Sequence, residues 1–301
     1  MIGPAQAEEV VPRRERVARA AAWCREVLAE PVLAAVFPPR CVCCGEFETF
    51  LCARCRDSLR PAGPERCARC GHPGIGPGGP GWCPMCAGHE PTFTSARSAF
   101  LHDGPARRLV TAFKYDGLKV LGGVMAELAA PEFRALLASL GPVVVTWVPT
   151  HASNRRTRGY NQAEILAREL ARVAGEVPVS PLVRKVGRTV HQRGLDRQGR
   201  SHNLRGAFVA ERAAGERVFE QIRGTVPMEQ IRGAVSTGPT LGRRTIGDRG
   251  RDLKGVVLVD DVYTTGATVA EVSRAIVASW QVPVHVFTFG RTPADLPQRA
   301  D

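Results

Sequence analysis

Eight of the chain's ten cysteines fall in four Cys-x-x-Cys pairs within residues 41–86: Cys41/Cys44, Cys52/Cys55, Cys67/Cys70 and Cys83/Cys86. No other feature restricts folding as tightly. A Cys-x-x-Cys turn brings two thiolates to one tetrahedral metal while neighbouring amides support the sulfurs, and two such turns close a four-coordinate Zn2+ site. Four turns make two sites, and protein ligands fill every position, so both read as structural. The linkers are rich in Gly and Pro and hold little apolar material. Such a stretch has no core of its own without a staple. Disulfides or a redox pair fit less well, since a thioredoxin-like motif needs one pair in a βαβ context. Order along the chain favours joining 41/44 with 52/55 and 67/70 with 83/86; interleaved pairing stays open. Cys24 and Cys43 are left over, and His72 and His89 lie near enough in sequence to displace a cysteine.

The 301 residues allow one full domain plus a small module, and a composition of 44% hydrophobic and 23% charged residues is that of an ordinary globular chain with a real core. The formal charge is +12. Eight thiolates on two Zn2+ would lower it by four and leave the chain basic, suited to polyanions such as nucleic acid or phosphorylated small molecules. No stretch approaches the ~20 continuous apolar residues of a membrane span, and the N-terminal segment lacks the apolar run of a secretory signal. The expected setting is the reducing cytoplasm, where paired cysteines bind metal.

Along the chain, residues 1–36 read as a helical segment, 37–92 as the zinc module, and 93–295 as an α/β domain. In the last, helices are expected over 106–115, 119–140 (interrupted at Pro131), 162–174 and 268–279, and strands over 143–148, 256–259 and 283–289. Strands alternating with helices argue a mainly parallel sheet. Residues 184–206 are basic and poor in apolar residues, which suits a long mobile loop. Residues 216–252 are polar and Gly-rich and carry the string EQIRG twice, at 220–224 and 229–233; they read as a disordered insertion.

The sharpest motif is VVLVDDVYTTGAT, Val256 to Thr268. A buried strand delivers Asp260 and Asp261 at its carboxyl end, where α/β sheets bind ligands. Thr264, Thr265, Gly266, Ala267 and Thr268 then open a helix. Small residues let the backbone wrap a phosphate, amides and the helix start direct positive charge at it, and the hydroxyls add donors. Two carboxylates beside a phosphate cradle repel anions, so they must face sugar hydroxyls or Mg2+. Lys114, in FKYDG, ends a helical run where a lysine can reach a phosphate as a mobile point charge or face solvent.

The string 256–268 resembles the signature of type I phosphoribosyltransferases for 5-phosphoribosyl-1-pyrophosphate (PRPP). The resemblance implies that Asp260 and Asp261 hold the ribose 2′- and 3′-hydroxyls, with Mg2+ accompanying PRPP, and that residues 264–268 hold the 5′-phosphate. Residues 143–163 then look like the strand and loop that carry pyrophosphate, with His151, Arg155 and Arg158 supplying cationic groups. Residues 183–208, with Lys185, Gly187, Arg188 and Thr189, are similar to the mobile catalytic loop of amidophosphoribosyltransferases. Lys114 and Arg188 join the two aspartates as catalytic candidates.

FPPRCVCCG, the four knuckles, FKYDG, VPTHASNRRTRGYNQA, HQRGLDRQGRSHNLRGAF and VVLVDDVYTTGAT occur in this order. Together they resemble the ComF family, in which a double zinc ribbon precedes a type I phosphoribosyltransferase-like domain. The family name implies a part in handling imported single-stranded DNA. The resemblance implies a phosphoribosyltransferase-like PRPP-binding protein, with single-stranded DNA or DNA-uptake proteins as further partners. Two other readings stay open on the sequence: a nucleic-acid-binding module, or a partner-binding adaptor, in either of which the PRPP site is regulatory or vestigial. Aromatic residues make up only 6% of the chain, so stacking platforms for single strands are scarce.

Overall fold

β-Branched and apolar residues crowd the runs that become strands. The computed structural model describes residues 38–73, 82–88, 90–151, 155–156, 158–186, 204–225 and 253–293. The helical segment expected in 1–36, with Cys24, His89, Arg188 and residues 226–252 lie outside the described residues. The chain divides into two compact units, Met1–Ala53 and Arg54–Asp301. In the first, an antiparallel bridge joins Arg40 to Phe47, the Cys41 amide donates to the Glu46 carbonyl, and the Arg40 guanidinium stacks over the Phe47 ring at 4.0 Å. These contacts close one knuckle turn.

The short helices α1 (Ala53–Asp57) and α2 (Pro84–Ala87) accompany the cysteine pairs. There follow β1 (Ser95–Leu101), α3 (Gly104–Tyr115), α4 (Leu121–Ala138), β2 (Val143–Trp147), α5 (Gln162–Val173), β3 (Val183–Lys185), β4 (Phe208–Ala210), α6 (Arg212–Thr225), β5 (Gly255–Tyr263), α7 (Ala267–Trp280) and β6 (Val284–Arg291). Four strands form one sheet in the order β1-β6-β5-β2, every neighbouring pair parallel. Every residue of β2 and β6 is buried, so both faces of the sheet are covered, as a parallel sheet requires. Phe133 of α4 meets Phe287 of β6 edge-on at 4.9 Å, and Phe100 of β1 meets Phe289 at 5.2 Å. Buried hydroxyls of Ser98 and Thr288 bond across β1 and β6 at 2.7 Å. Among the described residues, no helix is long and apolar enough to cross a membrane.

The architecture is the mainly parallel α/β sheet that the alternation of elements implies, behind a cysteine module. Four local expectations differ. The interruption at Pro131 does not occur: α4 runs through it for 18 residues. Leu121, Met125, Ala129, Phe133 and Leu136 form a buried stripe on both sides of the proline, and their burial outweighs the lost hydrogen bond. β1 was not expected, because its buried residues include the small Ala96, Ser98 and Ala99. Residues 184 and 185, expected in a loop, belong to β3, which pairs antiparallel with β4. Residues 216–225, expected to be disordered, lie in α6. Val218, Phe219 and Ile222 share its buried side, Phe219 packs edge-on against Trp280 at 5.7 Å, and Gly215 admits the Trp280 ring where a Cβ would lie 2.5 Å from Cζ2.

Candidate functional site

The cysteines gather in sequence order. Cys41, Cys44, Cys52 and Cys55 form one group and Cys67, Cys70, Cys83 and Cys86 the other, with the sulfurs of each within 4.8 Å of one another. The Cys44–Cys52 and Cys70–Cys83 sulfur pairs are each 3.6 Å apart. A Zn–S bond of about 2.3 Å gives a tetrahedral edge of about 3.8 Å, so the spacing fits zinc. Amides of Cys52 and Cys83 donate to the sulfurs of Cys41 and Cys67 at 3.5 and 3.2 Å. Burial opposes the Cys41 thiolate, but amides of Cys52, Cys43 and Cys44 outweigh it and bring the thiol down to about 6. Burial likewise opposes the Cys67 thiolate, and amides of Cys70, Cys83 and Arg69 bring it to about 7. Burial pushes Cys70 and Cys86 up, and the Cys70 charge pushes Cys86 further. Four thiolates so close repel one another until a divalent cation joins them, and both donor sets suit structural Zn2+. Cys43 is buried outside both groups, and His72 points its Nδ1 at the Pro73 carbonyl, 2.6 Å away.

At its carboxyl end, β5 extends past the two aspartates to Tyr263. Lys114 Nζ lies 2.9 Å from Asp261 Oδ2, with the two side chains 25% and 10% exposed. The lysine expected to reach a phosphate is therefore seated on a carboxylate. Burial disfavours its charge, yet Asp261 and Asp260 more than restore it and hold the ammonium above its ordinary range. Burial, and then the Asp261 charge, push the Asp260 carboxyl up to about 7, with Lys114 partly offsetting them. Its Oδ1 accepts the Asp261 amide at 2.9 Å. Beyond Tyr263 the chain turns through Thr264 and Thr265 to Gly266, which is left-handed at φ 78°, and α7 begins at Ala267. Thr265 Oγ1 accepts the Ala267 amide at 3.4 Å. The amides of Thr265, Gly266 and Thr268 have no acceptor among the described residues, and Thr265 and Gly266 line a cavity of about 80 Å3 together with Tyr263, Arg274, Glu90 and Glu271. A carboxyl with a raised pKa, an ion-paired carboxylate and a set of open amides can together hold hydroxyls, a cation and an anion.

The basic segment after β2 comes to the same side of the molecule through α3. Tyr160 donates its hydroxyl to the Phe113 carbonyl, Asn161 Nδ2 donates to the Val148 carbonyl at 3.0 Å, and Arg158 stacks over Tyr115, the neighbour of Lys114, at 5.1 Å. The Arg155 amide donates to the His151 carbonyl at 3.0 Å. Neither Arg155 nor Arg158 bonds to Asp260 or Asp261. Arg155 instead borders a separate cleft of about 560 Å3, with Trp147, Thr150, Arg184, Lys185 and Arg217 around it. Arg184 is paired with Glu211 at 2.6 Å and Arg168 with Glu164 at 3.1 Å. Arg155, Lys185 and Arg217 have no acidic partner among the described residues, so the cleft carries a surplus of positive charge.

Residues 32–88 match the double zinc ribbon domain. The DNA utilization protein YhgH of Salmonella typhimurium is 25% identical over 245 residues, which cover 80% of this chain and 90% of its own. Competence protein F of Haemophilus influenzae is 26% identical over 244 residues, covering 76% of this chain and 92% of its own. Together the zinc-ribbon match and these relatives support a ComF-family protein. The sequence gives no role at the candidate site to two residues, although Tyr160 is among its few aromatic candidates for stacking or packing. His102 packs on Gly290, where a Cβ would lie 3.2 Å from its Cδ2, and its buried Nε2 has no partner among the described residues. Burial and the nearby Lys114 bring its imidazole down to about 4, so it is neutral. Tyr160, which ties the segment after β2 to α3, is the other. A lone His in HDG and a Tyr in a basic segment carry no sequence signal; only the fold joins them to the β5 tip.

Proposed function

We propose that this chain binds PRPP with Mg2+ at the carboxyl end of β5, in the service of the DNA-handling role that its relatives' names describe. The single observation that carries the reading is the Lys114–Asp261 pair at 2.9 Å, beside Asp260 and the open amides of Thr265, Gly266 and Thr268. In this reading Asp260 and Asp261 accept the ribose hydroxyls, and the turn from Thr264 to Thr268 receives the 5′-phosphate. His151, Arg155 and Arg158 supply positive charge for the pyrophosphate, with Arg188 a further catalytic candidate. Lys114 holds Asp261 in an ion pair and supplies positive charge as the leaving group departs. The reaction served is displacement of pyrophosphate from the ribosyl carbon by a nucleophile, driven by positioning and charge stabilisation.

Titration calorimetry with PRPP, with and without Mg2+, tests the site. Binding by the wild-type chain and at least tenfold weaker binding by the Asp260→Asn/Asp261→Asn pair support it; equal affinities overturn it. Pyrophosphate release in the presence of candidate acceptors then separates an enzyme from a PRPP-binding protein. A second reading, binding of a nucleic-acid backbone, is favoured by the cleft between Arg155, Lys185 and Arg217 and by the basic net charge. The two readings use different residues except Arg155, so one chain can serve both.

A further inference from the structure

One buried side chain joins the second cysteine cluster to the proposed phosphate turn. Arg291, the last residue of β6, is 3% exposed. It donates from Nη1 to the Cys70 carbonyl and from Nη2 to the Cys70 sulfur at 3.5 Å. The same guanidinium lies over the Tyr263 ring, 4.3 Å from its centroid. Strand register sets Tyr263 opposite Arg291, and the Thr292 amide donates to the Tyr263 carbonyl at 3.0 Å. Tyr263 in turn fills the space against Gly266, where a Cβ would lie 2.2 Å from the phenol oxygen. The cysteine turn is itself seated on the sheet. The Ala96 amide donates to the Arg69 carbonyl at 2.6 Å, and Gly71 approaches so closely that a Cβ would lie 2.4 Å from the Ala96 oxygen.

We infer that Arg291 is a positioning residue that couples zinc at Cys67, Cys70, Cys83 and Cys86 to the PRPP turn through Tyr263, so that metal and PRPP tighten each other's hold. The inference rests on the PRPP reading. A buried cation needs fixed partners. With zinc, Cys70 is a fixed thiolate and carbonyl, Arg291 is held between it and the ring, and Tyr263 is held under Gly266. Without zinc the cysteine turn loses its staple, Arg291 loses its acceptors, and the turn at 264–266 loses its floor. Linkage makes the effect reciprocal: whatever factor zinc adds to PRPP affinity, PRPP adds to zinc affinity. Lysine cannot replace the arginine, because one ammonium cannot reach a carbonyl and a sulfur while covering a ring.

Zinc transfer from the wild-type chain to a chromophoric chelator, with and without PRPP, reads the coupling directly. The expected result is that saturating PRPP slows release of one of the two ions about fivefold or more and leaves the other unchanged. Free PRPP chelates zinc and would speed transfer, so slowing has the sign that only the coupling gives. In Arg291→Lys, two zinc ions per chain remain, PRPP affinity falls, and the slowing disappears. Unchanged or faster release from wild-type chain that calorimetry shows to be saturated overturns the coupling and leaves the PRPP reading standing. Absence of PRPP binding to the wild type overturns both. Should Arg291→Lys fail to fold, the wild-type comparison alone decides.

Discussion

Asp260 and Asp261 are neighbours in sequence, yet a strand sends successive side chains to opposite faces, and their surroundings divide their roles. Asp261 sits on Lys114, while burial and its neighbour's charge push Asp260 up to about 7. An unfolded chain ionises an aspartate near 3.9. Between these values folding takes up a proton, so the contribution of Asp260 to stability is full below about 4 and is lost as pH rises to about 7. Urea melts should show Asp260→Asn more stable than wild type at pH 8, with the difference vanishing near pH 4. Gly266 is constrained differently. Alanine there must adopt φ 78° and meets the Tyr263 phenol at 2.2 Å. The left-handed strain alone costs about 1 kcal/mol, and moving Tyr263 adds to it. Gly266→Ala should lower unfolding free energy by about 2 kcal/mol in urea and weaken PRPP binding.

Helix α4 keeps a proline at an exposed interior position, the eleventh of its 18 residues, held by the buried stripe from Leu121 to Leu136. Interior proline costs about 3 kcal/mol, part of which the stiffer unfolded chain returns. Pro131→Ala should raise stability by about 1–2 kcal/mol, read from denaturant midpoints at unchanged m. The same helix shows what sequence conveys. Strands β2, β5 and β6 were legible because Val143–Val145, Val256–Val259 and Val284–Phe289 are apolar on both faces, as covered parallel strands are. Helix α5 was legible from its amphipathic run, and Asn161 caps it by accepting the Ala163 amide at 3.1 Å. Strand β1 was hidden because Ala96 and Ser98 hydropathically resemble a loop. Helix α6 was hidden because Gly215 and several charges dilute the spacing of Val218, Phe219 and Ile222. At the site, Asp260, Asp261 and the following turn were legible because they are contiguous. His102, and the Arg291–Tyr263 stack on Cys70, were not, since contacts across 221 residues leave no local pattern.

For the whole molecule, the surplus of positive charge has two destinations. At the β5 tip a lysine stands against two aspartates, and around the cleft Arg155, Lys185 and Arg217 have no acidic partner among the described residues. Trp147 in that cleft is buried and covered by Arg168 at 5.0 Å, so it offers no open face on which a base could stack. A strand held there is held by its phosphates. Counterion release then sets the measurement: the slope of log affinity against log salt is about −0.7 per neutralised phosphate on a single strand. Three cations predict a slope of about −2, and poly-dT and poly-dA of equal length should bind alike. Arg217→Ala, on the exposed side of α6 and itself assigned no role toward PRPP, should make the slope less steep by about 0.7. Fluorescence anisotropy across a salt series checks this, and an unaltered slope in the variant would place the polyanion elsewhere on the surface.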